Sequence, residues 1–519
     1  MSDVDLPALA TKPVLTPIKE IDAALKACTF GIFQIRLLAI TFVGYMSASL
    51  ISSTTGYLLP VAECDLNMTL LQKGLLNAMP YTGMLLSAII AGFLTDAFGR
   101  KIFIVVGFTG QFVFTVVEAS SQTYELLVAA KFFEGLLFAA CFSPVIALTT
   151  EFCSNHIRDR VILLQSSFVA ISQILVTLLS WWMLMNDWKV SFFGGKYVLN
   201  TWNFYLYATS LWPLAACVMY GVFVPESPKY LVTHGKYDEA RNILIDVYVK
   251  NTGKPADTYP FKNIWKDKTK HALDETLEYQ GEHTFKHHIV AALHNVKPMF
   301  EKPLVVYLAA ICLANYIIMS MYNVFRLWFP QLSAIVENYK SQDVQDLCVM
   351  LDAYTSDLKA IRNTTDLDVC MPTRSGNETY INSIIVGFAC LVPYLITGVL
   401  VNRVGKKRLL MAAGVLSVTG TMCLRWANSI VAIVSLFSVT IAVSQIMLSL
   451  NQALTVEVFG TTTRTFAVSL MMFWGRIGTL SGNVAFPILL NIGCEVPFYT
   501  ISGLMVCVTF LALFLPSKK

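Results

Sequence analysis

Three charged residues lie inside long apolar segments and are the first candidates for chemistry. Lys131 and Glu134 stand one helical turn apart in the run 125–150, and Arg476 lies within the run 464–490. Because a charge in such a segment is costly to bury, its presence predicts a functional site. A rise of about 1.5 Å per residue puts Glu134 about 14 Å and Arg476 about 18 Å into their segments, near the middle of a hydrocarbon layer about 30 Å thick. We expect these residues to bind a solute or to couple to its movement.

A structural role is the alternative for each charge. Lys131 would then neutralise Glu134 on the same helix or extend outward to water. Arg476 would satisfy backbone carbonyl groups and never contact a solute. The sequence is compatible with both interpretations.

Uncharged side chains on other apolar segments are further candidates for contact with a solute. A tyrosine or tryptophan offers a flat apolar surface together with one hydrogen bond, which suits an organic solute. The main candidates are Tyr316, Asn323, Asn451 and Trp474, followed by Tyr45, Asn315, Tyr322, Gln445 and Gln452. The alternative for each is packing between helices.

The composition predicts the environment of the chain. Of its 519 residues 55% are hydrophobic and 14% are charged, and the mean hydropathy is +0.59. Soluble domains are about 45–50% apolar and about 25% charged, which argues against a soluble enzyme. Disorder needs low hydrophobicity, and a net charge of +4 over this length gives no basic surface for nucleic acid. We expect a monomeric multi-pass protein in a lipid bilayer, with no nucleic-acid partner.

Twelve apolar runs are long enough to cross a bilayer, since one spanning helix needs about 20 residues. The runs are 37–60, 72–95, 102–120, 125–150, 161–185, 204–224, 303–330, 380–401, 408–426, 429–453, 464–490 and 494–515. The predicted fold is therefore an all-α membrane protein with twelve transmembrane helices.

Two polar insertions divide the twelve spans into six plus six. The predicted organisation is a cytosolic segment 1–36, a six-helix bundle 37–224, a cytosolic linker 225–302, and a second bundle 303–519 that carries an extracytoplasmic loop at 331–379. Lysine and arginine concentrate on one side, with only about seven on the other, which predicts that both termini are cytosolic.

Three Asn-x-Ser/Thr motifs support this orientation. They begin at Asn67, Asn363 and Asn377, and all three fall in loops on the side opposite the termini. Because such motifs accept glycans in the secretory pathway, we expect the three asparagines to be glycosylated.

Two of the twelve cysteines predict a disulfide. Most of the others lie in the spans, where cysteine behaves as a small apolar residue. Cys348 and Cys370 lie 22 residues apart in the extracytoplasmic loop, where oxidising conditions favour a bond between them. Two free thiols are the alternative, and Cys64 and Cys494 are rival partners.

The two halves of the chain share a repeated motif. GFLTDAFGRK at 92–101 and GVLVNRVGKK at 398–407 have the same glycines and basic ends at an offset of 306 residues. A second pattern, Glu-x6-Arg, recurs at the same offset, in Glu151 with Arg158 and in Glu457 with Arg464. Two motifs at one offset predict duplicated halves, arranged as two pseudo-symmetric six-helix bundles.

The repeated motif predicts a conformational latch. Gly99 permits a tight turn, Arg100 holds a helix end at the cytosolic side, and Asp96 pairs with a cation or caps a helix of the other half. The same role is predicted for Gly92, Glu151, Arg158, Glu457 and Arg464. The alternative is that these residues only anchor the helices in the membrane.

Further motifs carry a resemblance to a known family. Pro-Glu-Ser-Pro-Lys at 225–229 follows the sixth span, Phe-Gly-Ile-Phe-Gln at 30–34 precedes the first, and Trp-Phe-Pro at 328–330 closes the seventh. With twelve spans and the repeated loop, the chain resembles the major facilitator superfamily and, within it, the synaptic vesicle glycoprotein 2 family. The resemblance implies a major facilitator fold and transport of a small organic solute, in the plasma membrane or in an intracellular vesicle membrane. Relatives that carry organic anions use a basic residue in span eleven, where Arg476 lies.

Departures from the family pattern bear on how transport would be driven. Residues 46–51 of span one lack the acidic side chain of the relatives, Asn402 replaces the aspartate of the second loop, and Lys131 stands where an arginine is usual. The first predicted function is secondary active transport of an organic ion or sugar by alternating access. The alternative is a regulatory or binding protein that retains the fold without transporting.

No sequence motif indicates catalysis. Phosphate-binding and dinucleotide-binding loops, zinc-protease motifs and nucleophile elbows do not occur in a suitable context. The prediction is a protein that is not an enzyme and uses neither a cofactor nor a metal.

Overall fold

A computed structural model describes residues 17–265, 300–340, 346–363, 375–459 and 464–515. Within these ranges the side chains of 88–98, 392–399, 401–402 and several further positions lie outside the description. The described chain is almost entirely helical, and two short strands in one loop, β1 (Val190–Phe192) and β2 (Tyr197–Leu199), pair antiparallel.

Twelve long helices correspond to the twelve predicted spans. The first six are α2 (Ile32–Ala62), α3 (Leu70–Phe98), α4 (Arg100–Ala119), α5 (Tyr124–Glu151), α6 (Asn155–Leu184) and α7 (Thr201–Phe223). The second six are α10 (Leu304–Tyr339), α12 (Asn377–Val404), α13 (Lys406–Cys423), α14 (Ile430–Val458), α15 (Arg464–Ile492) and α16 (Glu495–Phe514). Over the described residues, nine of the twelve are long and apolar enough to cross a membrane by length and composition. The predicted all-α membrane fold is confirmed.

Four shorter helices lie outside these spans in the described ranges. They are α1 (Pro17–Ala27), α8 (Pro228–Thr233), α9 (Tyr237–Thr252) and α11 (Leu347–Asn363). The segment α1 packs on the linker helix α9, where Asn251 donates from its side chain to the carbonyls of Cys28 at 2.9 Å and Thr29 at 3.1 Å. The segment before span one is therefore attached to the linker between the halves.

Local chemistry explains where the long helices begin. Thr69 caps α3, since its hydroxyl accepts from the Gln72 amide at 3.3 Å while the Gln72 side chain accepts from the Thr69 amide at 2.8 Å. Gly99 separates α3 from α4 with φ +100°, and Gly405 repeats that break with φ +90° between α12 and α13. A positive φ is strained for other residues, so the structure confirms the predicted glycine turn and its repeat.

The seventh span is longer than predicted. We expected it to end at Pro330, but α10 continues to Tyr339 with the proline inside the helix. The continuation is stabilised by burial, because Leu332, Ile335 and Val336 all pack into the core of the second half.

The two halves pack their helices in the same pattern. Span one contacts span five and span three contacts span six in the first half, and the second half repeats both contacts between α10 and α15 and between α13 and α16. Among the described spans, the most extensive contacts between the halves are those of α3 with α15, α6 with α12, and α2 with α10. Exchanging the two halves turns the pair of α3 and α15 into the pair of α12 and α6, and it leaves the pair of α2 and α10 unchanged. Duplicated halves are expected to show this symmetry.

The predicted disulfide between Cys348 and Cys370 is wrong. Cys348, on α11, bonds instead to Cys494 at the start of α16, with a Cα–Cα distance of 5.2 Å. Cys370 lies outside the described residues, and Cys64 is disulfide-bonded as well. The reason is tertiary: α11 folds onto the second half, where its Leu347 amide donates to the Ala427 carbonyl at 3.1 Å. We call this end of the molecule, where α2 ends and α3 begins, the disulfide end.

Candidate functional site

A cavity lies between the two halves and is lined by both. Its empty volume is about 550 Å³. The first half contributes α2 and α6, and the second contributes α10, α12 and α14; the lining residues are Tyr57, Val169, Ala170, Gln173, Tyr322, Arg326, Phe329, Pro330, Ser383, Val386, Gly387, Cys390, Ile441 and Gln445. We call this space the central cavity.

Arg326 is the one charged side chain among those lining residues. Its Nη2 donates to Ser53 Oγ and to Gln173 Oε1, both at 2.7 Å, and lies 3.3 Å from Ser52 Oγ. The guanidinium carbon lies 5.9 Å from the centre of the Tyr322 ring. Arg326 therefore links the second half to α2 and α6 of the first through neutral partners.

Sequence reasoning missed Arg326, although the signal was available. The residue falls inside the predicted span 303–330, so the rule applied to Lys131 and Arg476 marks it equally as a candidate. The same rule applied to the predicted span 102–120 would have found Glu118.

Lys131 and Glu134 form a buried cluster with Glu118, inside the first half. The Lys131 ammonium lies 2.7 Å from Glu118 and 2.8 Å from Glu134, and all three side chains are at most 3% exposed. Glu134 also accepts from Thr115 at 2.8 Å, and Lys131 lies 3.3 Å from the Thr54 hydroxyl on α2. The geometry is that of local neutralisation, with two carboxylates sharing one ammonium.

The cluster adjoins a smaller space, separate from the central cavity. This space has an empty volume of about 210 Å³, and Glu134 lines it together with residues of the first half only. No contact joins Glu134 to Arg476 in the part of the chain that the structure describes. The similar depth that we predicted for the two residues does not bring them together.

Arg476 contacts the backbone of the other half. Its Nη1 donates to the Met84 carbonyl at 2.6 Å, which joins α15 to α3. This is the arrangement that the structural alternative predicted. A role of Arg476 in binding a solute stays a prediction.

The four uncharged candidates have protein partners or face outward. Tyr316 bonds to Ser481 at 2.7 Å, Asn323 donates to Thr479 at 3.0 Å, and Asn451 donates to the Ile311 carbonyl at 3.3 Å. Trp474 is 43% exposed. None of the four lines the central cavity, whereas Tyr322 and Gln445 do, and contact of any of them with a solute stays a prediction.

The repeated motif forms a repeated ion pair at the end opposite the disulfide end. Arg100 Nη1 lies 2.6 Å from Glu151 Oε2, and Lys406 Nζ lies 2.8 Å from Glu457 Oε2. Both partners of the first pair shift by 306 residues to give the second. Each pair joins two helices of the same half.

The Pro-Glu-Ser-Pro motif completes the first of these pairs. Glu226 accepts from the backbone amides of Arg100 at 3.2 Å and Lys101 at 3.1 Å, and the Ser227 hydroxyl bonds to Glu151. These bonds fasten the linker to the start of α4.

The remaining latch residues leave the predicted role open. Arg158 makes no ion pair with any described residue. Burial, followed by the nearby Arg158 charge, lowers the pKa of Lys229. The side chains of Asp96 and Arg464 lie outside the description, and Gly92 lies within α3. The function of the group as a conformational latch stays a prediction.

The halves meet at the disulfide end through buried polar and aromatic contacts. Lys73 lies 2.6 Å from Glu63, and it donates at 2.8 Å to the Tyr354 hydroxyl, which donates in turn to Glu63 at 3.0 Å. Burial, assisted by the Glu63 charge, raises the pKa of Tyr354, so the hydroxyl stays protonated. Tyr57 and Tyr380 stack across the halves with ring centres 6.1 Å apart. Tyr57 also lines the central cavity, so this stack adjoins it.

Two of the three predicted glycosylation sites are exposed at the disulfide end. Asn67 lies between α2 and α3, and Asn377 is the first residue of α12, where its side chain accepts from Trp181 at 2.9 Å. The Asn363 side chain lies outside the description. Glycosylation stays a prediction at all three.

The family model described as Major Facilitator Superfamily matches residues 41–353 and 371–519. The chain belongs to this superfamily. It is thus a multi-pass membrane protein, as predicted from its composition.

Relatives within the superfamily agree with the predicted resemblance. Human synaptic vesicle glycoprotein 2B is 27% identical over 258 residues, which cover 49% of this chain and 37% of that protein. Synaptic vesicle glycoprotein 2A of Pongo abelii is 24% identical over 268 residues, which cover 51% and 35%. The chain thus matches little more than a third of the length of these relatives.

Solved structures of the superfamily share the fold. The xylose transporter XylE from E. coli, in a partially occluded inward-open conformation, superposes with a TM-score of 0.62 at 13% identity, over 93% of this chain and all of the other. The nucleoside transporter NupG gives 0.59 at 10% identity, over 93% of this chain and 100% of the other. Both comparisons concern the fold alone.

Proposed function

We propose that the chain is a secondary transporter that moves a small organic solute across a membrane by alternating access. The observation that carries this proposal is the central cavity, because each half supplies part of its wall. Movement of one half against the other would then change the side from which a solute reaches it. The solved relatives include transporters of xylose and of nucleosides, which supports a small organic solute.

The lining of the cavity supports the same conclusion. Sites for small molecules combine apolar walls with a small number of polar groups that fix the orientation of the ligand. The central cavity has such walls from Phe329 and Val386 and such groups from Gln173 and Gln445. The stack of Tyr57 and Tyr380 at the disulfide end would be the contact that separates in the other conformation.

Uptake into proteoliposomes tests transport directly. Purified protein is reconstituted and offered labelled organic anions, organic cations and hexoses, with and without a pH gradient. Saturable uptake of one class supports the proposal. Protein that is folded and correctly inserted, yet takes up none of them, contradicts it.

Labelling of Cys390 tests alternating access. Cys390 is a free thiol that lines the central cavity, whereas Cys312, a buried thiol of the same half, does not line it. With the more accessible Cys217, Cys423 and Cys507 replaced by alanine, an impermeant thiol reagent should reach Cys390 from the side opposite the disulfide end. Cys312 should stay unlabelled. Equal labelling of both thiols, or labelling of Cys390 from neither side, would contradict access through this cavity.

The similarity to synaptic vesicle glycoproteins favours a second candidate, a binding or regulatory protein that does not transport. The lack of an acidic residue in α2 is consistent with it. This candidate predicts that a solute protects Cys390 from labelling while uptake stays absent. Either function is compatible with a plasma-membrane or a vesicle location.

A further inference from the structure

We infer that the central cavity binds its solute through an anionic group, and that Arg326 holds this group. The inference rests on the proposed function only in taking the central cavity as the solute site. It names the chemical class of the solute as a small organic anion with an apolar body.

The charge of Arg326 has no counter-charge among the described residues. None of the residues that line the central cavity is acidic, and Arg326 forms no ion pair with any acidic residue in the described ranges. An arginine is always protonated, and a charge held deep in a membrane protein needs a partner, water or a ligand to offset its desolvation. An anion in the cavity supplies that partner.

The described hydrogen bonds of Arg326 use only one nitrogen of its guanidinium. All three of its described bonds are made by Nη2, to Ser52, Ser53 and Gln173. The N–H groups on Nη1 and Nε have no hydrogen-bond partner among the residues that the structure describes. Nη1 carries two N–H groups and Nε carries one, and an anion can accept charge-assisted hydrogen bonds from them. The bonds of Nη2 thus fix the orientation of the guanidinium, while its other two nitrogens keep their donors available among the described residues.

The other basic residues inside the spans are either paired with acidic residues or do not line the central cavity. Lys131 is shared between Glu118 and Glu134 at 2.7 and 2.8 Å, so its charge is already balanced. Arg476 donates to the Met84 carbonyl, and it does not line the central cavity. Arg326 is the basic group best placed to meet a solute.

The other residues that line the central cavity indicate the chemistry of the uncharged part of the solute. Phe329, Val169 and Ile441 offer apolar surface, and the Tyr322 ring lies beside the guanidinium. A sugar needs hydrogen bonds on most of its surface, whereas Tyr57, Gln173 and Ser383 in this wall already bond to protein groups. An aromatic or short aliphatic carboxylate matches the wall better than a neutral sugar or a small inorganic ion.

Equilibrium binding to purified full-length protein gives the first test, with benzoate, neutral benzamide and cationic benzamidine as probes of similar shape. Hexanoate and hexanamide give an aliphatic pair. The wild type should bind each carboxylate at least about tenfold more tightly than its amide, because a hydrogen-bonded charge pair is lost in the amide. Benzamidine should bind most weakly. Equal affinity for carboxylate and amide in both pairs, or no binding of either carboxylate, overturns the inference.

Variants of Arg326 locate the effect. Arg326→Gln should lower benzoate affinity about tenfold or more while changing benzamide affinity little. Arg326→Lys keeps the charge but loses the planar guanidinium and its oriented donors, so it should still prefer benzoate over benzamide, by a smaller ratio. The matched control is Arg36→Gln, an exposed arginine outside the cavity, which should bind like the wild type. If Arg326→Gln does not fold, Arg326→Lys decides the question, and an unchanged wild-type ratio in it contradicts the role of the oriented guanidinium donors.

Charged thiol reagents give a test that needs no known solute. Cys390 lines the same cavity as Arg326 and reacts with methanethiosulfonates that carry either a sulfonate or a trimethylammonium group. Relative to the exposed Cys423, the sulfonate should be favoured at Cys390 by about tenfold, since a charged cavity concentrates the opposite charge. Arg326→Gln should abolish this preference. A preference for the cationic reagent in the wild type refutes the anion site.

The two proposals can fail separately. Anion binding that depends on Arg326, without uptake, leaves the anion site standing and removes transport. Uptake of neutral or cationic solutes, with no preference for anions in either assay, leaves transport standing and removes the anion site.

Discussion

The Arg100 guanidinium lies 2.6 Å from the Glu151 carboxylate, and Lys406 with Glu457 repeats this pair at 2.8 Å in the second half. Arg100 and Glu151 are 19% and 13% exposed, so solvent screens them less than a surface pair. The duplicated chain has therefore kept both partners of one interaction, with lysine in place of arginine in the second copy.

This relationship predicts measurable coupling between Arg100 and Glu151. A double-mutant cycle with Arg100→Gln and Glu151→Gln should give an interaction energy of about 0.5–3 kcal/mol in unfolding experiments. The matched control is the exposed pair of Lys236 and Glu239, 3.9 Å apart, where the coupling should be near zero. If the two cycles give the same value, the repeated pair is only a surface contact. If the pair also acts as a conformational latch, Arg100→Ala should change the rate at which Cys390 is labelled.

The buried cluster predicts that removing its basic member lowers the stability of the protein much more than neutralising one acidic member. Lys131→Met leaves Glu118 and Glu134 facing each other without a counter-charge, and should cost about 3–5 kcal/mol of stability. Glu118→Gln leaves one ammonium with one carboxylate, so the melting temperature should stay close to that of the wild type. Lys250→Met, in an exposed pair on α9, is the control. Comparable losses in Lys131→Met and Glu118→Gln would show that charge balance does not govern this cluster.

The hydrogen bonds of the Tyr354 hydroxyl predict a contribution to the contact between the halves at the disulfide end. Tyr354→Phe removes the bonds to Lys73 and Glu63 and leaves their charges less well satisfied, at a cost of about 1–3 kcal/mol to this conformation. We expect faster labelling of Cys390 from the disulfide end. Tyr339→Phe removes a hydroxyl that bonds to Asp357 and does not join the halves, so it should leave the rate unchanged. Identical rates in the two variants would contradict a closing role.

The disulfide predicts a specific cross-link between distant segments. Non-reducing peptide mapping should join the peptide of Cys348 to that of Cys494, which are 146 residues apart in the chain. Cys348→Ser should lower stability by about 2–4 kcal/mol, because the unfolded chain regains the freedom of a long loop. Cys423→Ser, which removes a free exposed thiol, should have little effect. A cross-link between Cys348 and Cys370 would disprove the observed pairing.

Glycosylation predicts the orientation of the chain. Expressed in animal cells, the wild type should shift on glycosidase treatment, and Asn67→Gln, Asn363→Gln and Asn377→Gln should each remove one step of the shift. Because glycans are added only outside the cytosol, any such shift places the disulfide end outside. An unshifted band in the wild type would leave the orientation without this support.

Local patterns were sufficient for the elements and their duplication. Each predicted span is a continuous apolar stretch, and a helix of that length satisfies its own backbone inside a bilayer, so no distant contact is needed to define it. Gly99 and Gly405 have positive φ as the repeated motif predicted, since that conformation depends on the residue itself. The i,i+3 pair of Lys131 and Glu134 was also open to sequence reasoning, because helix geometry alone brings the two together.

Contacts between distant segments required the folded chain. Glu118 joins Lys131 from another helix, Cys348 bonds to Cys494 because α11 folds back onto α16, and Arg476 donates to Met84 across the halves. Depth along a helix gave Arg476 and Glu134 similar positions, but depth does not say which way a side chain points around its axis. That rotation, fixed by packing, turned Glu134 into the first half and Arg326 into the central cavity.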